Sequence, residues 1–219
     1  MRTIWAGFTL LALAAAAVLF LDRDDSVSPG EGDAPSTAAP VADSESEPDA
    51  SSVGPQIPQA TIEPGKIVRR DDGSVLADGV WEILGSGTRD DPYEVSWELL
   101  ISASDSYIPR LGERKLPERI AILDGAWVRI SGYIAFPLIA TESEELLLML
   151  NQWDGCCIGV PPTPYDAVEV RLRSAVEVGT RHSVRYGSLT GILQVEPYIV
   201  EKWLVGLYVM EQASLRSEL

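Results

Sequence analysis

Histidine and cysteine are scarce in this chain. Its 219 residues include one histidine, His182, and two cysteines, which are adjacent at Cys156-Cys157. These residues alone are too few for a tetrahedral zinc site of cysteine and histidine ligands, and their spacing fits no familiar haem or iron–sulfur motif. With one adjacent cysteine pair in a chain of this length, a disulfide-stapled miniprotein is also excluded.

Basic residues are also few, with 17 lysines and arginines against 33 acidic residues and a formal net charge of −16. Nucleic-acid-binding proteins need a basic face to displace counterions, so no nucleic-acid partner is predicted. The sequence lacks a glycine-rich phosphate loop and a His-Glu-x-x-His motif, and no nucleophile and base stand in a recognisable pattern. We therefore predict no catalytic residues and favour a noncatalytic protein.

A long apolar run begins the chain. Residues Ile4 to Leu21 form 18 residues interrupted by Gly7 and Thr9, and a helix of that length measures about 27 Å, close to the hydrocarbon thickness of a bilayer. Arg2 before the run and acidic residues after it place the N-terminus in the cytoplasm. Residues 1–21 are therefore predicted to be a transmembrane signal anchor in the cytoplasmic (inner) membrane, with the rest of the chain on the periplasmic side. A cleaved signal peptide is the alternative, because alanines occupy a cleavage-like position.

Residues 22–60 have the composition of a disordered acidic linker. They include six prolines, seven serines and nine acidic residues, with no aromatic residue and Arg23 as the one base. Such a stretch cannot bury enough apolar surface to offset the entropy of ordering. A flexible chain of this length spans about 35 Å on average, so a folded domain is expected to stand away from the membrane.

Residues 61–219 are predicted to fold as a mainly β domain, a small OB-like five-stranded barrel with an N-terminal extension. Apolar and polar residues alternate from Trp127 to Leu138, which predicts a long strand, and Gly132 in its middle predicts a bulge or sharp bend. Glycines in the predicted strand Tyr186–Val195 suit a close crossing of strands. Further strands are predicted at Glu145–Leu150, Asp166–Leu172, Tyr186–Val195 and Trp203–Met210.

Two stretches resemble a known bacterial family. Leu123 to Tyr133 and the segment Cys156-Cys157-Ile158-Gly159-Val160-Pro161-Pro162 are similar to the family of domain of unknown function 3299. The resemblance implies an exported or membrane-attached protein with an OB-like barrel, and some members are encoded beside ABC transporters or metal-related genes. It implies no reaction. Gly159 stands where one branch of the family has a histidine, so a metal role known from that branch does not carry over directly.

The adjacent cysteines Cys156 and Cys157 have several readings. As soft ligands they would favour Cu(I) or Zn, with Asp154 or His182 as additional ligands. In the structural reading, one cysteine packs as a small hydrophobe while the other lines the surface. A disulfide between chains or redox exchange is a third reading, because adjacent cysteines close a ring only under strain.

The proline-rich segment after the cysteines is a candidate docking loop. Val160 to Tyr165 contains three prolines, which fix the backbone in an extended form, and stiff loops lose little entropy on binding. A plain connection between strands is the alternative. The six tryptophans, Trp203 among them, are predicted to be mainly core or membrane-boundary residues, with Trp153 the best surface candidate. The candidate docking residues are Trp153, Gly159, Pro161, Pro162 and Tyr165.

These observations predict a membrane-tethered, exported, noncatalytic binding or adaptor module. The resemblance suggests an ABC transporter or another envelope protein as its partner. No cofactor follows from the leading reading. The alternative is a metal-handling or thiol-redox protein that uses Cys156 and Cys157.

Overall fold

The computed structural model describes residues 56–137, 140–153, 159–178 and 185–216. The predicted membrane anchor, most of the predicted linker and the cysteine pair lie outside these ranges. In the described part of the chain, no helix is long and apolar enough to cross a membrane.

The described residues form twelve strands and a few short helices. The α-helices are Trp97–Ile101 and Glu118–Ala121, and 3-10 helices occupy Ser102–Asp105 and Pro109–Leu111. The strands are β1 (Thr61–Glu63), β2 (Ile67–Arg69), β3 (Val75–Ala77), β4 (Trp81–Ile83), β5 (Tyr93–Glu94), β6 (Tyr107–Ile108), β7 (Glu113–Pro117), β8 (Trp127–Ala135), β9 (Glu142–Met149), β10 (Ala167–Glu177), β11 (Arg185–Val200) and β12 (Trp203–Arg216).

The last five strands pair in a closed cycle. The strand order is β11-β12-β10-β9-β8-β5, and β11 also pairs with β8. The pairs are antiparallel except β10 with β12, where Val168 lies beside Tyr208 in parallel register, and β5 with β8. Each of the five predicted strands is present, and the prediction of a mainly β fold is confirmed.

Strand β8 is shared between two neighbours. Residues 127–134 pair with β11, while Tyr133 to Ala135 pair with β9. Gly132 lies where the two pairings meet, opposite Gly187 of β11. A Cβ atom on Gly132 would lie 2.5 Å from the Met149 carbonyl oxygen and 3.0 Å from the Trp97 ring. The glycine predicted at a bend is therefore the position where β8 approaches β9 too closely for a side chain.

The observed strands differ in length from the predicted ones. Strand β8 ends at Ala135, before the predicted end at Leu138, while β11 continues past the predicted end at Val195. Pro197 has no backbone N–H and lies at a register shift between Val195 and Tyr198. The strand continues through Pro197 because the register shift leaves Pro197 out of the regular hydrogen-bond ladder.

The N-terminal extension forms two small sheets and the short helices. The sheet orders are β1-β7-β6 and β2-β3-β4. In helix Trp97–Ile101 the Ser96 hydroxyl accepts a hydrogen bond from the Leu99 N–H, a standard helix cap. The Trp97 indole donates to the Ser131 carbonyl of β8 at 2.8 Å. Helix and strand cycle therefore share one core.

The folded region begins before the predicted boundary at Thr61. Ile57 is 5% exposed and belongs to the core. The Gln59 carbonyl accepts hydrogen bonds from the Tyr107 hydroxyl and the Arg114 guanidinium. The sequence prediction assigned these residues to the linker. Their burial depends on partners about 50 positions away, which local composition does not reveal.

Arg119 joins three parts of the extension. Its guanidinium donates to the Asp78 carboxylate at 3.0 Å and, through Nε, to the Ser102 hydroxyl at 2.8 Å. The same guanidinium lies 5.9 Å from the centre of the Trp81 ring. The other carboxylate oxygen of Asp78 accepts from the Lys66 N–H at 2.9 Å. The Arg119 side chain is 15% exposed, so the pair is largely shielded from water.

Burial raises the pKa of Tyr107 to about 12. The neutral hydroxyl is favoured in the folded chain, whereas an unfolded tyrosine ionises near pH 10. Between pH 10 and pH 12 the unfolded chain therefore binds fewer protons than the folded chain, and stability falls as pH rises. Tyr107 alone should contribute a loss of up to about 2.7 kcal/mol, because one pKa unit corresponds to about 1.36 kcal/mol.

Denaturant unfolding at several alkaline pH values checks this expectation. Tyr107→Phe removes this ionisable group and should reduce the fall in stability between pH 10 and pH 12, while Tyr165 and Tyr208, whose pKa values burial also raises, keep the rest of it. Tyr186→Phe, at a tyrosine that is 61% exposed, is the control and should keep it. An unchanged slope in the Tyr107 variant would contradict the assignment.

Candidate functional site

The hairpin of β11 and β12 presents an exposed apolar face. Glu201 and Lys202 form its turn, and Val200 pairs with Trp203 across it. The exposed residues alternate along both strands, as expected for one face of a sheet. They are Tyr198, Val200, Trp203 and Val205, and we call them the hairpin face; Trp203 is the most exposed of them at 61%.

The hairpin protrudes because β11 is longer than its neighbour β8. The register pairs Ile192 with Trp127, the first residue of β8, so the end of β11 extends beyond that strand. The Asp124 carboxylate accepts a hydrogen bond from the Val195 N–H at 2.9 Å, and Pro197 has no N–H to offer. Because this part of the strand edge is satisfied, the apolar side chains are the more available binding feature.

Charged groups border the hairpin face on two sides. The Arg110 guanidinium lies 5.5 Å from the centre of the Trp203 ring, a cation–π contact. At the opposite end of the hairpin face lie two acidic residues. Glu196 is exposed on the outward side of β11, and Glu169 of β10 is partly buried. Burial raises the pKa of the Glu169 carboxyl, Arg171 opposes the change, and Glu145 and Glu196 add to it.

The predicted docking loop begins at a closed pair of residues. Trp153 and Gly159 form an antiparallel bridge, and the Val160 N–H donates to the Gln152 carbonyl at 3.1 Å. Gly159 has φ of +99°, and a Cβ atom there would lie 1.8 Å from the Gln152 carbonyl oxygen. Glycine is therefore required for this pairing, which holds the two ends of segment 154–158 together.

Tyr165 fastens the proline-rich loop to the extension. Its hydroxyl donates to the Tyr107 carbonyl at 2.6 Å, and its ring packs against the core. The Thr163 hydroxyl and N–H both donate to the Asp166 carboxylate, which forms a tight turn. Because the Tyr165 ring and hydroxyl are engaged within the chain, its observed contacts are those of an anchor for the loop.

The other predicted docking residues have mixed exposure. Pro161 is exposed, Pro162 and Trp153 are partly buried, and Val160 is 59% exposed. Trp203, which the sequence reasoning assigned mainly to the core or membrane boundary, is more exposed than Trp153. Both sides of the hairpin carry apolar residues from Tyr198 to Val205, so alternation alone does not indicate which side faces solvent.

The candidate metal ligands cannot be placed in this site. Asp154, Cys156, Cys157 and His182 lie outside the described residues. Within the described ranges, no group of three or more histidine, cysteine, aspartate or glutamate residues is arranged to hold a metal ion. The Cu(I) or Zn site stays a prediction.

Comparisons with known proteins give one similar structure. No family model and no curated protein matches the chain. Among solved structures, a DUF3299 family protein from Pseudomonas aeruginosa is similar at 20% identity, covering 57% of this chain and 97% of that chain, with a TM-score of 0.38. This chain is thus similar to a protein of the family that its motifs resemble.

Proposed function

We propose that this chain is a noncatalytic binding or adaptor module, tethered to the bacterial inner membrane and exposed on its periplasmic side. The observation that carries the proposal is the hairpin face, where two aromatic and two aliphatic side chains are exposed together. Contiguous apolar surface of this kind is typical of interaction sites. The apolar run Ile4–Leu21 and the acidic linker support the tether.

The proposal includes a finer fold assignment, a small OB-like barrel. The cycle β8-β9-β10-β12-β11-β8, with parallel third and fifth strands, supports it. Closing a sheet removes its exposed edges, which suits a stable platform for binding loops. Fold alone does not name the ligand, so the partner class comes from the resemblance and is an ABC transporter or another envelope protein.

Fractionation and site-specific cross-linking test the proposal together. The full chain should sediment with inner membranes, and protease added to spheroplasts should cleave the folded domain. A photoactivatable residue in place of Trp203 should give a discrete cross-linked protein, while the same residue at Val80, 75% exposed on the extension, should not. Recovery as a freely soluble cytosolic protein, or no discrete product from any surface position, would contradict the proposal.

A second candidate function is metal handling or thiol redox chemistry at Cys156 and Cys157. The bridge between Trp153 and Gly159 favours it, because this pair closes the short segment that carries both cysteines. Thiolates of neighbouring residues are soft ligands that suit Cu(I) or Zn.

Metal content and thiol state distinguish this second candidate. If it is correct, the full chain purified without chelator should carry Cu or Zn, or should resist alkylation at one or both cysteines. The double variant Cys156→Ser/Cys157→Ser should lose the metal. Two freely alkylated thiols and unchanged metal content in the double variant would eliminate the candidate.

A further inference from the structure

The Glu169 carboxylate lies beside the hairpin face, and the nearest described cation, Arg171, is paired with Glu211. Glu169 is partly buried, and its Oε1 lies 3.4 Å from the place where a Cβ on Gly206 would be. Gly206 pairs with Tyr198 across the hairpin. Between described residues, Arg171 attracts the Glu169 carboxylate without a direct hydrogen bond or ion pair to it. A partly desolvated charge in this position is stabilised by a cation brought from outside.

Glu196 places a second negative charge on the same side. Exposure still alternates across the register shift, with Glu196 and Tyr198 exposed and Pro197 between them buried, so both side chains leave β11 on the outward side. The nearby Arg171 is paired with Glu211. The acidic end of the hairpin face therefore consists of Glu169 and Glu196, and the apolar end leads from Tyr198 towards Trp203.

The tip of the hairpin carries charges of both signs. Glu201 and Lys202 form the turn, and Arg110 lies against the Trp203 ring. The folded region as a whole is acidic, with 24 acidic and 15 basic residues in positions 61–219. An anionic lipid surface would meet net repulsion here, whereas a cationic protein segment would be attracted.

We propose that the hairpin face and the two adjacent carboxylates bind a peptide segment of a protein partner that carries lysine or arginine beside apolar residues. The cation meets Glu169 and Glu196, and the apolar residues cover Tyr198, Val200, Trp203 and Val205. Aromatic residues in such a position commonly supply much of the binding free energy. The inference rests on the proposed function as a binding module and names the chemistry of its partner.

Binding of a labelled synthetic peptide to the full chain in detergent tests this inference. The probe is a peptide of alternating leucine and lysine, and the control peptide alternates leucine and glutamate. Fluorescence anisotropy should show binding of the lysine peptide and none of the glutamate peptide. Glu169→Gln and Trp203→Ala should each weaken binding about tenfold, the loss typical of a charged hydrogen bond or an aromatic anchor.

Matched variants show whether the effect is local. Glu113→Gln removes an exposed carboxylate of β7, and Tyr186→Ala removes an exposed ring at the other end of β11. Both should bind the peptide like the unsubstituted chain. Circular dichroism checks folding, and Trp203→Phe is the second variant if the alanine variant unfolds. Absence of binding, or equal losses in the control variants, would overturn the inference.

Brominated lipids test whether a membrane covers the hairpin face instead. In nanodiscs containing such lipids, the difference in tryptophan quenching between the full chain and Trp203→Phe isolates Trp203 from the other tryptophans. We expect no difference, and strong quenching of Trp203 would overturn the inference in favour of lipid. A partner cross-linked elsewhere on the domain would overturn this inference while leaving the proposed function intact.

Discussion

Replacing Arg119 with alanine is expected to lower the free energy of unfolding by about 2 to 3 kcal/mol, because it breaks a partly buried network of hydrogen bonds and an ion pair. The substitution leaves the Asp78 carboxylate, 29% exposed, without the guanidinium that donates to it at 3.0 Å. It also removes the donor to the Ser102 hydroxyl and the contact with the Trp81 ring. Denaturant unfolding of the full chain, followed by circular dichroism, measures the change.

A lysine at the same position should restore little of the loss. Arg119 donates to Asp78 and Ser102 from different nitrogens of one planar group, and an ammonium cannot reproduce that geometry. Arg70→Ala is the matched control, because the Arg70–Glu82 pair is exposed on both sides and exposed pairs contribute little. Similar losses in the Arg119 and Arg70 alanine variants would refute the stabilising role of Arg119.

Replacing Gly132 with alanine is expected to destabilise the strand cycle by about 3 kcal/mol or more, at the upper end for overpacking a core. The added Cβ would lie 2.5 Å from the Met149 carbonyl oxygen. That oxygen belongs to β9, which pairs with β8 at Tyr133, so it cannot move without disturbing the ladder. The Trp97 ring, 3.0 Å from the same Cβ position, limits movement on the other side. Denaturant unfolding measures the loss.

Gly206→Ala is the control for this substitution. Gly206 also lies in a strand of the cycle, but the nearest atom to its added Cβ is the Glu169 side chain at 3.4 Å. We expect a change within about 0.5 kcal/mol, as for substitutions that meet no backbone. If alanine at both glycines gave the same small change, the proposed close approach of β8 and β9 would be wrong.

The sequence predicts one part of the candidate site and misses another. The segment after the cysteines was expected to be a rigid loop, and the geometry at Gly159 and Tyr165 shows how it is held. The exposure of Trp203 was missed, because its neighbours on both sides of the strand are apolar. The pairing of Arg119 with Asp78 was missed as well, since 41 positions separate the two residues.

The acidic character of the chain, the five strands of the cycle and the glycine where β8 approaches β9 could all be predicted from the sequence, because alternation and glycine placement act over a few neighbouring residues. Which apolar residues are covered depends on the folded chain. Trp203 is exposed because β11 and β12 extend beyond the start of β8, whereas Ile57 is buried because the folded extension packs over it. Burial depends on contacts between residues distant in the chain, and a local pattern does not contain them.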